Sequence, residues 1–219
     1  ASFSISLGQH AYDESPYQRA VAERYELDHH DLQVTASDYA DALPRAVRHM
    51  EGPTPHGGCV MLMLLCDQIR KHSKVVLTGE GADEIFGGYQ RYQIWRKLMW
   101  QERLSKALPA EFLPPVWPFM GMRRLGGLDA AAYAGVYHDF RFVQRIFPGL
   151  VPIPGARESA SNRFDNFLDR LFAVDQTSYL ESLLVRQDKM SMAASVEARV
   201  PFVHMPLLKV VNRLPRYVR

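Results

Sequence analysis

Lys74-Val75-Val76-Leu77-Thr78-Gly79-Glu80-Gly81-Ala82-Asp83-Glu84-Ile85-Phe86-Gly87-Gly88-Tyr89 is the stretch on which the fold turns. Val75, Val76 and Leu77 read as a short strand buried on both faces, the pattern of a parallel sheet. The strand runs straight into a loop where glycines alternate with other residues and three carboxylates gather. Glycine lets backbone N–H groups come close to a ligand, and ligands of open α/β sheets sit beyond the carboxyl ends of strands.

The common phosphate-loop signatures do not fit this segment. A Walker A loop ends in Gly-Lys-Ser/Thr, where this chain has acids, and the dinucleotide fingerprint needs a third glycine where Glu84 stands. Glu80, Asp83 and Glu84 would repel bare phosphate, so they suit a nucleotide only with a metal between. Mg²⁺ is commonly held by one or two carboxylates plus phosphate oxygens. The plainer alternative is a βα turn whose acids favour the start of the following helix.

Outward from the stretch, residues 1–90 read as α/β. Phe3, Ile5 and Leu7 alternate with Ser2, Ser4 and Ser6, which predicts a strand with small side chains on one face. Ser15-Pro16-Tyr17-Gln18 predicts a capping box with proline at the first helical position. Tyr17, Ala20, Val21, Arg24 and Tyr25 continue a helical stripe, and His30 to Val34 predicts an edge-type strand completing a β-α-β unit. A helix is expected over the Asp38 to Met50 region, with Tyr39, Leu43, Val47 and Met50 on one face and Pro44 kinking it or marking its start. After the breaker-rich loop Glu51 to Gly58, Val60 to Ile69 predicts a buried helix packed on the sheet. Beyond Tyr89 the expectation is mainly helical. Tyr92, Trp95, Leu98 and Met99 keep helical spacing, Pro109, Pro114, Pro115 and Pro118 make a stiff connector, Phe147 to Gly155 is a second break, and no strand is expected.

Composition narrows the class. The 219 residues are 47% hydrophobic and 23% charged with a formal charge of +2, so no nucleic-acid bias is visible. The longest apolar run, Val60 to Cys66, falls far short of the roughly 20 residues of a membrane span. Cys59 and Cys66 lie two turns apart on one expected helix, too far to bridge, and are read as reduced core thiols of a cytosolic protein. His29 and His30 are strand neighbours pointing to opposite faces, which argues against a shared metal.

A second informative stretch is Leu183-Leu184-Val185-Arg186-Gln187-Asp188-Lys189-Met190-Ser191-Met192-Ala193-Ala194-Ser195-Val196-Glu197-Ala198-Arg199-Val200-Pro201-Phe202. Asp188, Met192, Ser195 and Arg199 share a helical face by their spacing. Ala193 and Ala194 permit close approach of another element, and Pro201 ends the helix with Val200 extended. Taken alone, this is a packing helix with some ion pairs.

Both stretches resemble one family. Thr78 to Tyr89 resembles the Ser-Gly-Glu-Gly-Ser/Ala-Asp-Glu-Φ-Phe-Gly-Gly-Tyr motif (Φ apolar) of the synthetase domain of glutamine-dependent asparagine synthetases, with Thr78 keeping the serine hydroxyl. The second resembles that family's Asp-Lys/Arg-Met-Ser-Met-Ala-x-Ser-x-Glu-x-Arg-Val-Pro-Phe segment, in the same order and at similar spacing. It departs at Val203-His204, where the family usually has Leu-Asp.

The resemblance implies a doubly wound, mainly parallel α/β sheet of the adenine-nucleotide alpha-hydrolase type, followed by a mainly helical second half. It implies ATP and Mg²⁺, aspartate as acceptor acid, and ammonia from a separate N-terminal glutaminase domain, reacting through β-aspartyl-AMP with release of AMP and pyrophosphate. Carried onto matching positions, Thr78, Gly79 and Gly81 would contact ATP, and Ile5 would offer its backbone to adenine. The family glycine after that position is Ser6 here. Glu80 would stand by the reacting carboxyl and amine, and Asp83 would act in catalysis and bind the metal, with Glu84 as a further metal ligand. Arg199 and Asp188 would support the helix.

The family's Ser-Gly-Gly-x-Asp-Ser pyrophosphate loop, its glutaminase domain and a downstream lysine motif are not in these residues. The expectation is therefore an internal piece of a synthetase domain, unable to complete the reaction alone. A central strand would be missing between those of Phe3 and Val75, so these two would either pair directly or leave a gap. Relatives that act on other carboxylic acids, and a non-catalytic nucleotide-binding module, are the competing readings. A homo-oligomer is left open.

Overall fold

A computed structural model describes residues 1–8, 13–52, 54, 56–89, 92, 146–149, 160, 163–164 and 167–215. The helix expected around Trp95 to Met99 and the Pro109 to Pro118 connector lie outside the described residues, as does most of the break at Phe147 to Gly155. The chain divides into two compact units. One comprises Ala1–Gly81 with Glu181–Met205, the other Ala82–Leu180 with Pro206–Arg219.

The first unit opens with the expected β-α-β arrangement. Strand β1 (Ser2–Ser6) pairs in parallel with β2 (His29–Gln33) across helix α1 (Ser15–Arg24), with Ser2 opposite His29 and Ser6 opposite Gln33. The serine side is the more buried one. Ser4 and Ser6 donate to the two oxygens of Asp31 at 2.9 and 3.1 Å, and Ser2 meets His29 Nδ1 at 2.9 Å, so each small hydroxyl buried there has a partner. On the other side Phe3 stacks on His30 at 5.1 Å. His29 and His30 do face apart.

The start of α1 differs from expectation. Ser15 is already helical and gives its backbone N–H and its hydroxyl to Asp13, so it is not a capping residue. The stripe Tyr17, Val21 and Tyr25 lies exposed, and the buried residues of α1 are Ser15 and Ala22. The capping box belongs instead to helix α2 (Ala36–Met50). Thr35 Oγ1 accepts from Asp38 N at 3.2 Å while Asp38 Oδ2 accepts from Thr35 N at 2.8 Å. Pro44 lies inside α2, and the helix carries on through it, forgoing the bond to the Ala40 carbonyl.

Helix α3 (Gly58–Ile69) is rich in leucine, methionine and cysteine, with only Val60 and Ile69 β-branched. Its Cys59, Val60 and Met63 form one core with Ala46 of α2 and Met190, against which Tyr39, Ala42, Leu43 and Met50 pack. The α2 face is thus set by Ala46 rather than by Val47, which is exposed. Farther along α3, Cys66 and Ile69 join Ala194 and Val196 in a second core, covered by Phe3 and Val76. Each fully buried side chain of this size contributes about 1.5–3 kcal/mol. Both cysteines are free and buried, and burial, helped by Asp67, pushes the Cys66 thiol up to about 11.

Strand β3 (Val75–Leu77) pairs in parallel with β4 (Glu197–Arg199), a strand absent from the sequence expectation. The helix expected to run on to Arg199 stops much earlier. Ser195 adopts a left-handed φ of 56°, with Ser195 N bonded to Met192 O at 2.9 Å and Val196 N to Ser191 O at 3.0 Å. That is a Schellman stop, and it turns the next residues into β4. β3 is also less buried than expected, with Leu77 70% exposed. Its only strand partner among the described residues is β4, so Val76 alone reaches the core. β1 and β3 do not pair with each other and lie in separate two-stranded sheets.

Among the described residues of the second unit are helices α4 (Ala82–Phe86) and α5 (Phe167–Val174) and a π-helical turn (Asp175–Tyr179). The turn leads into α6 (Leu180–Ala193), most of which belongs to the first unit. A 3₁₀ turn (Pro201–Val203) and α7 (Met205–Val211) follow β4. No helix among the described residues is long and apolar enough to cross a membrane.

Two tests address the core. Met63→Ala is expected to lower unfolding free energy by about 2–5 kcal/mol, whereas Tyr17→Ala, at 77% exposed, should stay within about 0.5 kcal/mol in the same denaturant titration. Because the folded Cys66 thiol titrates near 11 against an ordinary 9.0, its contribution is complete below pH 9 and is lost as pH rises toward 11. Comparing wild type with Cys66→Ala across that window should show the wild type losing stability faster.

Candidate active site

The loop after β3 begins as an extension of the strand pairing, with Thr78 N bonded to Arg199 O at 2.9 Å. Thr78, Gly79, Glu80 and Gly81 belong to the first unit, and Asp83 and Glu84 to the second. The two glycines have different reasons to be there. Gly81 has a φ of 91°, which disfavours any side chain. Gly79 has neither a positive φ nor a described atom within 4 Å of where a Cβ would stand, so the described fold does not require glycine there.

Glu80 is held by α6. Arg186 Nη2 donates to Glu80 Oε1 at 2.6 Å across 106 residues, and the two side chains are only 17% and 19% exposed. Arg186 Nε is buried with no hydrogen-bond partner among the described residues, and so is Thr78 Oγ1. His56, on the loop before α3, is held below its ordinary pKa by burial and then by the Arg186 charge. One turn along α6, Lys189 donates to the Met50 carbonyl at 2.9 Å and to Glu51 at 2.8 Å, which lowers the Glu51 pKa, while Met190 enters the α2–α3 core. Arg186, Lys189 and Met190 thus share the face of α6 that fixes the helix, and no local pattern in the sequence marks any of them out. The partner of each lies more than a hundred residues away, beyond the reach of any spacing rule. Arg199 instead bridges Glu197 on its own strand at 2.8 Å, exposed.

In the second unit the two acids of α4 part company. Asp83 is exposed, but Glu84 is 1% exposed and accepts the Tyr89 hydroxyl. Burial, then that bond, drives the Tyr89 phenol upward, so it stays protonated. Gln176, from the π-helical turn, donates to the Glu84 carbonyl at 3.3 Å and exchanges hydrogen bonds with Asn212. Tyr92 donates to buried Asp175 and stacks on Phe172 at 4.7 Å. The paired glycines answer this packing. Gly87 has a φ of 69° and would bring a Cβ within 3.0 Å of Phe172, while a Cβ on Gly88 would overlap the Asp83 carboxylate.

No group of three or more His, Cys, Asp or Glu among the described residues comes together to hold a metal. Magnesium carried on nucleotide phosphates needs only one or two carboxylates. Asp83 is available for that, whereas Glu84 is engaged inside by Tyr89. Ile5 lies on β1, half-buried and opposite Leu32.

The sequence pattern of the family described as asparagine synthase matches residues 1–219, and the chain belongs to that family. It is 31% identical, over 98% of its length, to a protein of Mycobacterium tuberculosis described as a putative glutamine-hydrolysing asparagine synthetase, of which it covers 35%. It is 26% identical over 98% of its length to asparagine synthetase 1 of Bacillus subtilis, covering 36% of that protein. The chain thus spans about a third of the length of these relatives.

Gly88→Ala is expected to displace the Asp83 carboxylate and to destabilise the second unit by about 1–3 kcal/mol. Gly52→Ala, where a Cβ meets nothing within 4 Å, should cost far less in the same thermal or denaturant measurement.

Proposed function

We propose that this chain is the acid- and nucleotide-binding part of an ATP-dependent, adenylating amide ligase that makes asparagine from aspartate and ammonia. Its two-stranded sheets are then parts of a doubly wound fold of the adenine-nucleotide alpha-hydrolase type, and the ammonia comes from glutamine in a glutaminase domain outside this chain. The observation that carries the reading is the meeting of the two motifs. Glu80 of the first is clamped by Arg186, two residues before the second begins at Asp188, next to an unpartnered Thr78 hydroxyl and a glycine that the described fold does not require.

In this reading Thr78, Gly79 and Gly81 border ATP at the end of β3, and the Ile5 backbone meets adenine at the end of β1. The acid's side-chain carboxylate attacks the α-phosphorus, the bond to the β-phosphate breaks, and acyl-AMP and pyrophosphate form. Ammonia attacks the acyl carbon, AMP departs, and Glu80 is the group assigned to receive the proton ammonia gives up. Adenylation is needed because AMP leaves a carbonyl far more readily than oxide does. Asp83 is the residue offered to Mg²⁺, which would neutralise charge on the phosphates.

The test uses the intact protein with Mg–ATP, ammonia and a panel of carboxylic acids, resolving AMP from ADP. Aspartate-dependent AMP matched by asparagine is expected. Glu80→Gln should lower kcat by about 100-fold or more, and Gly79→Ala should raise the KM for ATP while leaving Tm unchanged. AMP with a different acid alone would keep the chemistry and change the substrate. ADP in place of AMP, or no acid-dependent cleavage, would refute the reading.

A further inference from the structure

We propose that Glu84 and Tyr89 are positioning residues for Asp83. The buried bond between them holds residues 87–89 against α4, and the bare Cα of Gly88 then fixes the Asp83 carboxylate in the orientation that receives Mg²⁺. The inference rests on the ligase reading above, which offers Asp83 to the metal, and it gives the neighbouring acid a different task. Every group involved lies within the second unit.

Consecutive residues of a helix point about 100° apart, and the two acids of α4 are separated accordingly. Asp83 is exposed, whereas Glu84 is 1% exposed and accepts the Tyr89 hydroxyl. The Glu84 carbonyl also takes a hydrogen bond from Gln176 at 3.3 Å, so backbone and side chain of this residue are both held. Carboxylates that diverge in this way do not meet on one ion, which leaves the ligand's part to Asp83.

Helix α4 has five residues, too few to be stable by its own turns. The chain that follows steadies it. Gly87 N and Gly88 N both bond to the Asp83 carbonyl, at 2.9 and 3.2 Å, and the left-handed φ of 69° at Gly87 turns the backbone there. A Cβ on Gly88 would overlap Asp83 Oδ1 and stand 3.1 Å from Cγ, so the carboxylate rests against bare backbone. Tyr89 keeps that backbone in place. Its hydroxyl is on Glu84, and its ring lies nearly parallel to Tyr92 at 6.5 Å and edge-on to Tyr179 at 5.9 Å. A carboxylate already confined loses less freedom on taking a metal than one that turns freely. Groups standing behind a ligand commonly change metal affinity by about 10–100-fold.

The experiment measures Mn²⁺, standing in for Mg²⁺, retained by the intact protein together with a non-hydrolysable ATP analogue. Electron paramagnetic resonance reads the free ion, so no turnover is needed. Asp83→Asn should abolish retention. Tyr89→Phe and Gly88→Ala should each weaken it by about 10–100-fold. The double variant should be little weaker than either, since both changes act through one segment. Glu84→Gln still accepts the Tyr89 hydroxyl through its amide oxygen and should stay close to wild type.

Mn²⁺ retention that follows this pattern supports the proposal even where no acid yields AMP, in which case the ligase reading alone falls. Glu84→Gln as damaging as Asp83→Asn, with Tyr89→Phe harmless, overturns it, because Glu84 is then itself a ligand. Tyr89→Phe and Gly88→Ala variants that lose Tm yet hold Mn²⁺ as wild type does also overturn it, because the segment then only packs. Wild type that retains no Mn²⁺ overturns it as well, and acid-dependent AMP from that protein would leave the ligase reading standing. Should Gly88→Ala fail to fold, Tyr89→Phe, which removes a single oxygen, decides the matter alone.

Discussion

The parallel pairing of Val75–Leu77 with Glu197–Arg199 is the constraint from which the rest of the first unit follows. It joins segments more than a hundred residues apart, and its register leaves little freedom. Once Leu77 lies opposite Arg199 and Thr78 N bonds to Arg199 O, the acidic loop must leave the sheet beside the C-terminal end of β4. Closing so long a loop costs entropy that the ladder bonds alone do not repay. Burial of Val76 and Val196 with Cys66 and Ile69 supplies the remainder.

Helix α6 carries the consequence to the loop. Met190 enters the α2–α3 core, Lys189 binds the end of α2, and Arg186 grips Glu80. The Schellman stop at Ser195 is what allows one short segment to serve both as a packed helix and as a strand. An ion pair so sheltered is weak evidence for stability, because desolvation offsets much of its attraction. Its value here is to hold the Glu80 carboxylate in one place, as catalysis by positioning requires.

What the sequence disclosed and what it concealed divide along physical lines. The β-α-β opening, α2, α3 and β3 were readable, because alternation and helical spacing are local signals that the structure keeps to within a few residues. β4 was not, since Glu197-Ala198-Arg199 has no strand-like composition and is extended only because β3 pairs with it. The stripe Tyr17, Val21 and Tyr25 had the right period for a core helix but faces outward, as period reports a face and not what covers it. In the candidate site, the motif placed Glu80 and Asp83 on the loop that follows β3, yet nothing in the spacing distinguished exposed Asp83 from Glu84, which Tyr89 holds inside. Arg186 stood two residues before the second motif, and its partner on β3's loop could be known only from the fold.

The central claim is that the carboxylate of an acid attacks ATP at the α-phosphorus in this site, and the path of one oxygen atom tests it most directly. The intact protein would be given Mg–ATP, ammonia and aspartate carrying a heavy oxygen isotope in its side-chain carboxylate, and the AMP examined by mass spectrometry. The account predicts that a single heavy oxygen from the acid appears in the phosphate of AMP, because the bond made to phosphorus in the first step is kept when ammonia displaces the nucleotide. Unlabelled AMP, or label found only in orthophosphate beside ADP, would contradict it.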